Sequence, residues 1–132
     1  MITPSLFLRR ALQADTVFSG TGAAIFSLGA GALAPLFSLP EALVRETGVF
    51  LIAYTAYVGW LATRQSFQRI LAGIVVVGNA LWTLASIALL FSGQITPNLL
   101  GAAVIAAQAI ATGTLAELQY IGLRKSDGIV AA

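Results

Sequence analysis

Hydrophobic and polar positions along the chain fall into four long apolar runs parted by short polar breaks. The clearest run is 70–91, which carries no charge and is long enough for one helix to cross a bilayer. At 100° per residue, Asn79, Trp82, Thr83 and Ser86 share one stripe of that helix. Ile70, Ile74, Val77, Leu81, Leu84, Ala88 and Phe91 make a purely apolar stripe opposite. Such a helix has a lipid side and an inner side that needs partners.

The other runs predict three more spans. The first, about 15–37, repeats small residues every four positions, Ser19, Ala23, Ser27 and Gly31, a surface that lets a neighbouring helix approach closely. Pro35 and Pro40 are expected to stop it. The second, about 47–63, follows an interfacial turn in which Glu41 and Arg45 pair at i,i+4. It sets Phe50, Tyr54 and Tyr57 along one face, Gly48, Thr55 and Gly59 along another, and Trp60 near headgroup level. The fourth, about 97–123, opens at Thr96-Pro97, carries a small surface of Ala103, Ala107 and Ala111, and closes with Arg124 and Lys125 before a tail, 126–132. Ahead of all four, Thr3-Pro4 predicts a short interfacial helix over about 4–13. Arg9-Arg10 before an apolar run, with Ala32-Leu33-Ala34 further on, also has the look of a signal peptide. The run is longer than a signal core, however, and Pro35 would occupy the first mature position, so the segment reads as an uncleaved anchor.

The fold class expected is therefore all-α, an integral membrane four-helix bundle running up-down-up-down as a single membrane domain over 1–132. Composition agrees: 58% of the residues are hydrophobic and 9% charged, against about 25% charged in a soluble domain. Mean hydropathy is +0.92. Arg9, Arg10, Arg64, Arg69, Arg124 and Lys125 all fall on one side of a four-span chain and Arg45 alone on the other. By the positive-inside rule both termini are cytoplasmic, and a multi-pass membrane protein is expected. The net charge of +2 reports this topology, and no nucleic-acid partner is expected. With no Cys and no His, thiol chemistry, disulfides, zinc sites and haem held through imidazole or thiolate are excluded. The two halves of the chain show no repeat of the kind inverted-repeat transporters carry.

Polar groups inside the runs are the candidates for function, because each is costly in hydrocarbon unless paired. Asn79 and Gln108 each lie about eleven residues into adjacent antiparallel spans, so a hydrogen bond between them near mid-bilayer is expected. Asp15 and Glu117 fall at the cytoplasmic edge, where an interfacial charge network with Arg10, Arg64, Arg69 and Arg124 is expected to tie the helix ends together. Gln108 and Glu117, nine residues apart, face opposite ways on one helix, which argues against a single polar pathway. No catalytic residues are expected: there is no nucleophile with a base, no acidic pair at metal-site spacing and no phosphate-cradling glycine motif. Neither a cofactor nor a metal is called for.

Asn79-Ala80-Leu81-Trp82, Ala116-Glu117-Leu118-Gln119-Tyr120 and Ala14-Asp15 together resemble a pattern in small bacterial four-span integral membrane proteins. That resemblance covers most of the chain and implies an inner-membrane location without attaching an activity. Length and span count are also similar to the small multidrug resistance transporters. Their pattern puts a glutamate in mid-membrane of the first helix, and here that motif is missing.

Two functions are carried forward. The leading one is a non-catalytic inner-membrane bundle with an accessory, assembly or scaffold role through helix packing, with the lipid bilayer and either a homo-oligomer or a larger membrane complex as partners. The alternative is a small transporter, channel subunit or binder of a lipophilic ligand, with a mid-membrane pocket lined by Tyr54, Asn79, Trp82 and Gln108. The second requires a cavity.

Overall fold

The computed structural model describes residues 1–126. Most of the expected tail, 127–132, lies outside the described residues. Four helices follow in order: α1 (Leu6–Phe37), α2 (Glu41–Thr63), α3 (Arg69–Phe91) and α4 (Leu99–Lys125). Three of them, α1, α3 and α4, are long and apolar enough to cross a membrane. α2 has comparable length but carries Glu41, Arg45 and Glu46 in its first turns and Thr47, Tyr54, Thr55 and Tyr57 beyond them, so apolarity alone marks three helices where the sequence pattern predicts four spans.

The helix limits depart from expectation at the first element. No separate helix covers 4–13; α1 runs unbroken from Leu6, with Ser5 rather than Thr3 as its cap, its hydroxyl accepting the Leu8 N–H at 3.1 Å. Pro35 does not stop α1 either. It sits inside the last turn, and the chain leaves the helix at Ser38, whose left-handed conformation (φ 55°) lets the Ser38 and Leu39 N–H groups bond the Pro35 and Ala34 carbonyls. At α4 the cap is Asn98, one residue past Pro97, with its side chain accepting the Gly101 N–H at 2.8 Å.

α1 is the central element. It packs closely on α2 and on α4, and α4 packs on α3, whereas the backbones of α2 and α3 stand apart and these two helices meet through side chains such as Tyr57 and Phe50. Small residues permit the close approaches. A Cβ on Gly48 would come 2.2 Å from the Ser27 backbone nitrogen, in the small-residue stripe of α1. Gly122 and Gly101 of α4 meet the backbone of α1 at Leu8 and at Phe37. Between those two contacts α1 spends 29 residues and α4 only 21, roughly 44 Å against 32 Å of helix, so α1 must bow away from α4 in between.

The end where α1 begins and α4 ends is filled. Leu8, Leu12, Val58, Leu61, Phe67 and Val75 form a buried cluster there with Ile2, whose backbone pairs with Phe67 in both directions (2.8 and 3.1 Å). The outer surface is apolar all round, with Leu28 87%, Phe91 86% and Leu99 88% exposed. On α3, Ile70, Ile74, Val77, Leu81, Leu84 and Phe91 face outward while Asn79 is buried.

Candidate functional site

One carboxylate lies in the heart of the bundle. Asp15 is nine residues into α1, about 14 Å from its start, and has no exposed surface. Four neutral donors converge on it. Ser19 Oγ, one turn on, donates to Oδ1 at 2.8 Å; Tyr54 OH of α2, Asn79 Nδ2 of α3 and Gln119 Nε2 of α4 donate to Oδ2 at 2.5, 2.9 and 2.8 Å. Asn79 also donates to Gln119 Oε1 at 2.9 Å, closing a ring through three helices. Among the described residues no cation lies within salt-bridge distance of Asp15, and the single ion pair is Glu41–Arg45 on the surface of α2 (2.6 Å).

This corrects the expected interfacial charge network. Asp15 is an interior group because α1 begins well before it, while Arg10 and Glu117 are exposed. The helix ends are tied instead by arginines on carbonyls that a helix terminus leaves unpaired. Arg9 donates to Ala62 O and Arg64 O (2.5 and 2.8 Å), and Arg69 reaches Leu123 O at 3.4 Å. Arg64 and Arg124 lie over the Trp60 and Tyr120 rings.

The expected Asn79–Gln108 bond is also replaced. Measured from the same end of the bundle, Asn79 is ten residues along α3 and Gln108 seventeen residues from the end of α4, a height difference of roughly 10 Å. Ser86, seventeen residues along α3, is level with Gln108. Gln108 accordingly accepts the Trp82 indole N–H at 2.6 Å and donates to Ser86 Oγ and Ile105 O, each at 2.9 Å. Between the two amide clusters, Thr83 and Thr112 face each other at 2.7 Å.

Above the Asp15 ring, away from the end where α1 begins and α4 ends, the helices line a partly open cavity of about 780 Å³, with residues from all four. Its floor is Ser19, Tyr54 and Asn79; its walls are mostly apolar, among them Phe26, Leu51, Leu89 and Ile105, with Trp82 and Gln108 on one side. All four residues expected to line a pocket, Tyr54, Asn79, Trp82 and Gln108, do line it, whereas Asp15 and Gln119 stand behind the floor. The cavity reaches the outer surface at Phe18, Thr21 and Ile25, where α1 bows from α4. On the α2–α3 side, the Phe50 and Trp82 rings stack across the gap, with centroids 5.6 Å apart and planes 11° from parallel.

Gln119 is the member of the ring that sequence reasoning did not single out. The signal was present: Gln108, Thr112, Leu115 and Gln119 recur at i, i+4, i+7 and i+11, one inward stripe of α4. Among the described residues no three acidic or other metal-ligating side chains gather. Compared with family models, curated proteins and solved structures, the chain matches none.

Proposed function

We propose that the protein is a multi-pass membrane protein that binds an amphiphilic small molecule inside its bundle, the apolar part in the cavity and the polar head on the floor of Ser19, Tyr54 and Asn79. The observation that carries this reading is the cavity itself. Its volume of about 780 Å³ falls within the roughly 300–1,000 Å³ typical of small-molecule sites, and its apolar walls with a few converging polar groups are the usual make-up of such sites. A bundle serving only as a scaffold gains by filling such a space, since unfilled volume forfeits contacts. The close seam of α1 with α2 suits a scaffold, but it explains neither the cavity's mix of apolar walls and polar floor nor the buried Asp15 ring beneath it.

In this reading all four helices cross the bilayer of a bacterial inner membrane. α2 joins them by turning Tyr54 to Asp15 and by seating Gly48 against α1. The filled end, where α1 begins and α4 ends, faces the cytoplasm, as the basic residues direct. The role is non-catalytic.

Native mass spectrometry of the full chain released from detergent tests the reading. The expected result is a retained small-molecule adduct that is lost in Asn79→Leu, which caps the floor with an apolar side chain. A bundle that carries no adduct and takes up no added amphiphile overturns it.

A further inference from the structure

We infer that the ligand accepted by this cavity is an amphiphile whose head is a protonated primary amine, and that anionic heads such as carboxylate or phosphate are rejected. The inference rests on the cavity-binding reading above and deepens it.

The argument is an account of hydrogens. On the floor, the Tyr54 hydroxyl hydrogen goes to Asp15 Oδ2, that of Ser19 to Asp15 Oδ1, and the two amide hydrogens of Asn79 to Asp15 Oδ2 and Gln119 Oε1. On the wall, the Trp82 N–H goes to Gln108, both Gln108 amide hydrogens to Ser86 and Ile105, and the Ser86 hydrogen to the Trp82 carbonyl. The threonines that line the cavity are spent in the same way: Thr21 and Thr47 bond carbonyls four residues back, and Thr112 sits on Ala109 O and Thr83. Each of these side-chain polar hydrogens is thus already committed inside the protein.

What the floor offers a guest is lone pairs. Ser19 Oγ and Asn79 Oδ1 accept nothing in the described network, and Tyr54 Oη has beside it only the Asn79 amide, whose two hydrogens point to Asp15 and Gln119. The orientation of Asn79 is fixed by that network, because turning its amide over would set its carbonyl oxygen against Asp15 Oδ2 and Gln119 Oε1. Directly behind stands the Asp15 carboxylate, whose donors are all neutral. An ammonium brings three N–H donors to three acceptors and gains from the nearby carboxylate. A carboxylate or phosphate would meet lone pairs and a like charge, with no side-chain donor to replace its lost water. Phosphatidylethanolamine shares the ammonium but carries a phosphate beside it, so the occupant is a free alkylamine and not that lipid.

The test uses the full chain in phosphatidylcholine nanodiscs in a Trp60→Phe background, which leaves Trp82 as the reporting indole. Dodecylamine, dodecanoate and dodecyl phosphate, matched in chain length, are titrated at pH 7. The expected result is a saturable Trp82 response with dodecylamine at least about tenfold tighter than either anion, a preference that Asp15→Asn reduces to within about threefold. Tyr54→Phe, which removes one acceptor and keeps Asp15, is expected to weaken dodecylamine alone. Equal or tighter binding of an anion overturns the inference and leaves the cavity-binding reading standing. Displacement of dodecylamine by phosphatidylethanolamine as effective as by free amine also overturns it. No saturable response to any of the three overturns the cavity-binding reading itself.

Discussion

Between Asp15 and the end where α1 begins and α4 ends, the space among the helices is filled by side chains such as Leu8, Leu12, Leu61 and Val75 that show no exposed surface, whereas beyond Asp15 the same four helices border a partly open cavity of about 780 Å³. The filled half has help that the hollow half lacks. Ile2 is pinned to Phe67, the Ser5 amide bonds the Ser126 hydroxyl at 2.8 Å, and Arg9 caps the end of α2, so the segment before α1 acts as a stopper. At the other end the turn between α1 and α2 contributes only Leu39, packed against Ala30, Ala34 and Val44 at the edge of the cavity, and Asn98 fastens α4 to the end of α1 through Phe37 O and Leu36 O. The contrast teaches that one bundle can fill the space among its helices at one end and leave it open at the other while helix pairs stay in close contact in both halves, with a polar ring as the boundary.

Removing that boundary is expected to have the largest effect. Asp15→Ala breaks three interhelical hydrogen bonds, which at about 0.6 to 1.7 kcal/mol each predicts a loss of about 2–5 kcal/mol in stability. Thermal denaturation in detergent measures it. A loss below about 1 kcal/mol would mean that the ring is not what joins the two halves.

The fold was legible because periodicity on an apolar background leaves little else for these runs to do. The polar stripe of α3 stood out since Asn79, Thr83 and Ser86 interrupt an uncharged run. The Asp15 ring was not legible, for two reasons. Its members come from positions 15, 54, 79 and 119, and nothing local ties them together. The depth of Asp15 also depends on where α1 starts, and Leu6–Gln13 carries two arginines that mimic an interfacial segment while continuing the same helix. Glu117 drew notice through its charge, yet it is exposed; the neutral Gln119, two residues on, is the one turned inward.

Next in size is a paired test of the close seam against an open flank. Gly48→Ala drives a Cβ into the backbone of α1 at Ser27 and is expected to cost about 2–3 kcal/mol, as overpacking does. Gly73→Ala meets nothing within 4 Å and is expected to be neutral or stabilising by up to about 1 kcal/mol through helix propensity. Equal behaviour of the two would remove the distinction between a load shared by α1 and α2 and a free outer face.

Smaller still are the two ties between α2 and α3, one in each half. In the filled half the Tyr57 hydroxyl donates to Leu71 O at 2.7 Å. Tyr57→Phe keeps the ring and loses that bond, an expected cost of about 1 kcal/mol, read as a lowered melting temperature with ligand binding unchanged.

In the hollow half the tie is the Phe50–Trp82 stack, and there Phe50→Leu is expected to change stability least and access most. Phe50 is 54% exposed, so little of its area is lost, and an aromatic pair of this kind contributes only about 0.5–1.5 kcal/mol. Trp82 stays in place because Gln108 holds its indole from the opposite side. What disappears is the ring that covers the cavity between α2 and α3. In the Trp60→Phe background, quenching of Trp82 by lipid brominated along its chains is expected to rise, and stopped-flow mixing with dodecylamine to show a faster association with nearly unchanged affinity. Unchanged quenching and an unchanged rate would locate entry elsewhere, at the bow of α1 beside Phe18 and Ile25, and the stack would then be a wall of the cavity and not its door.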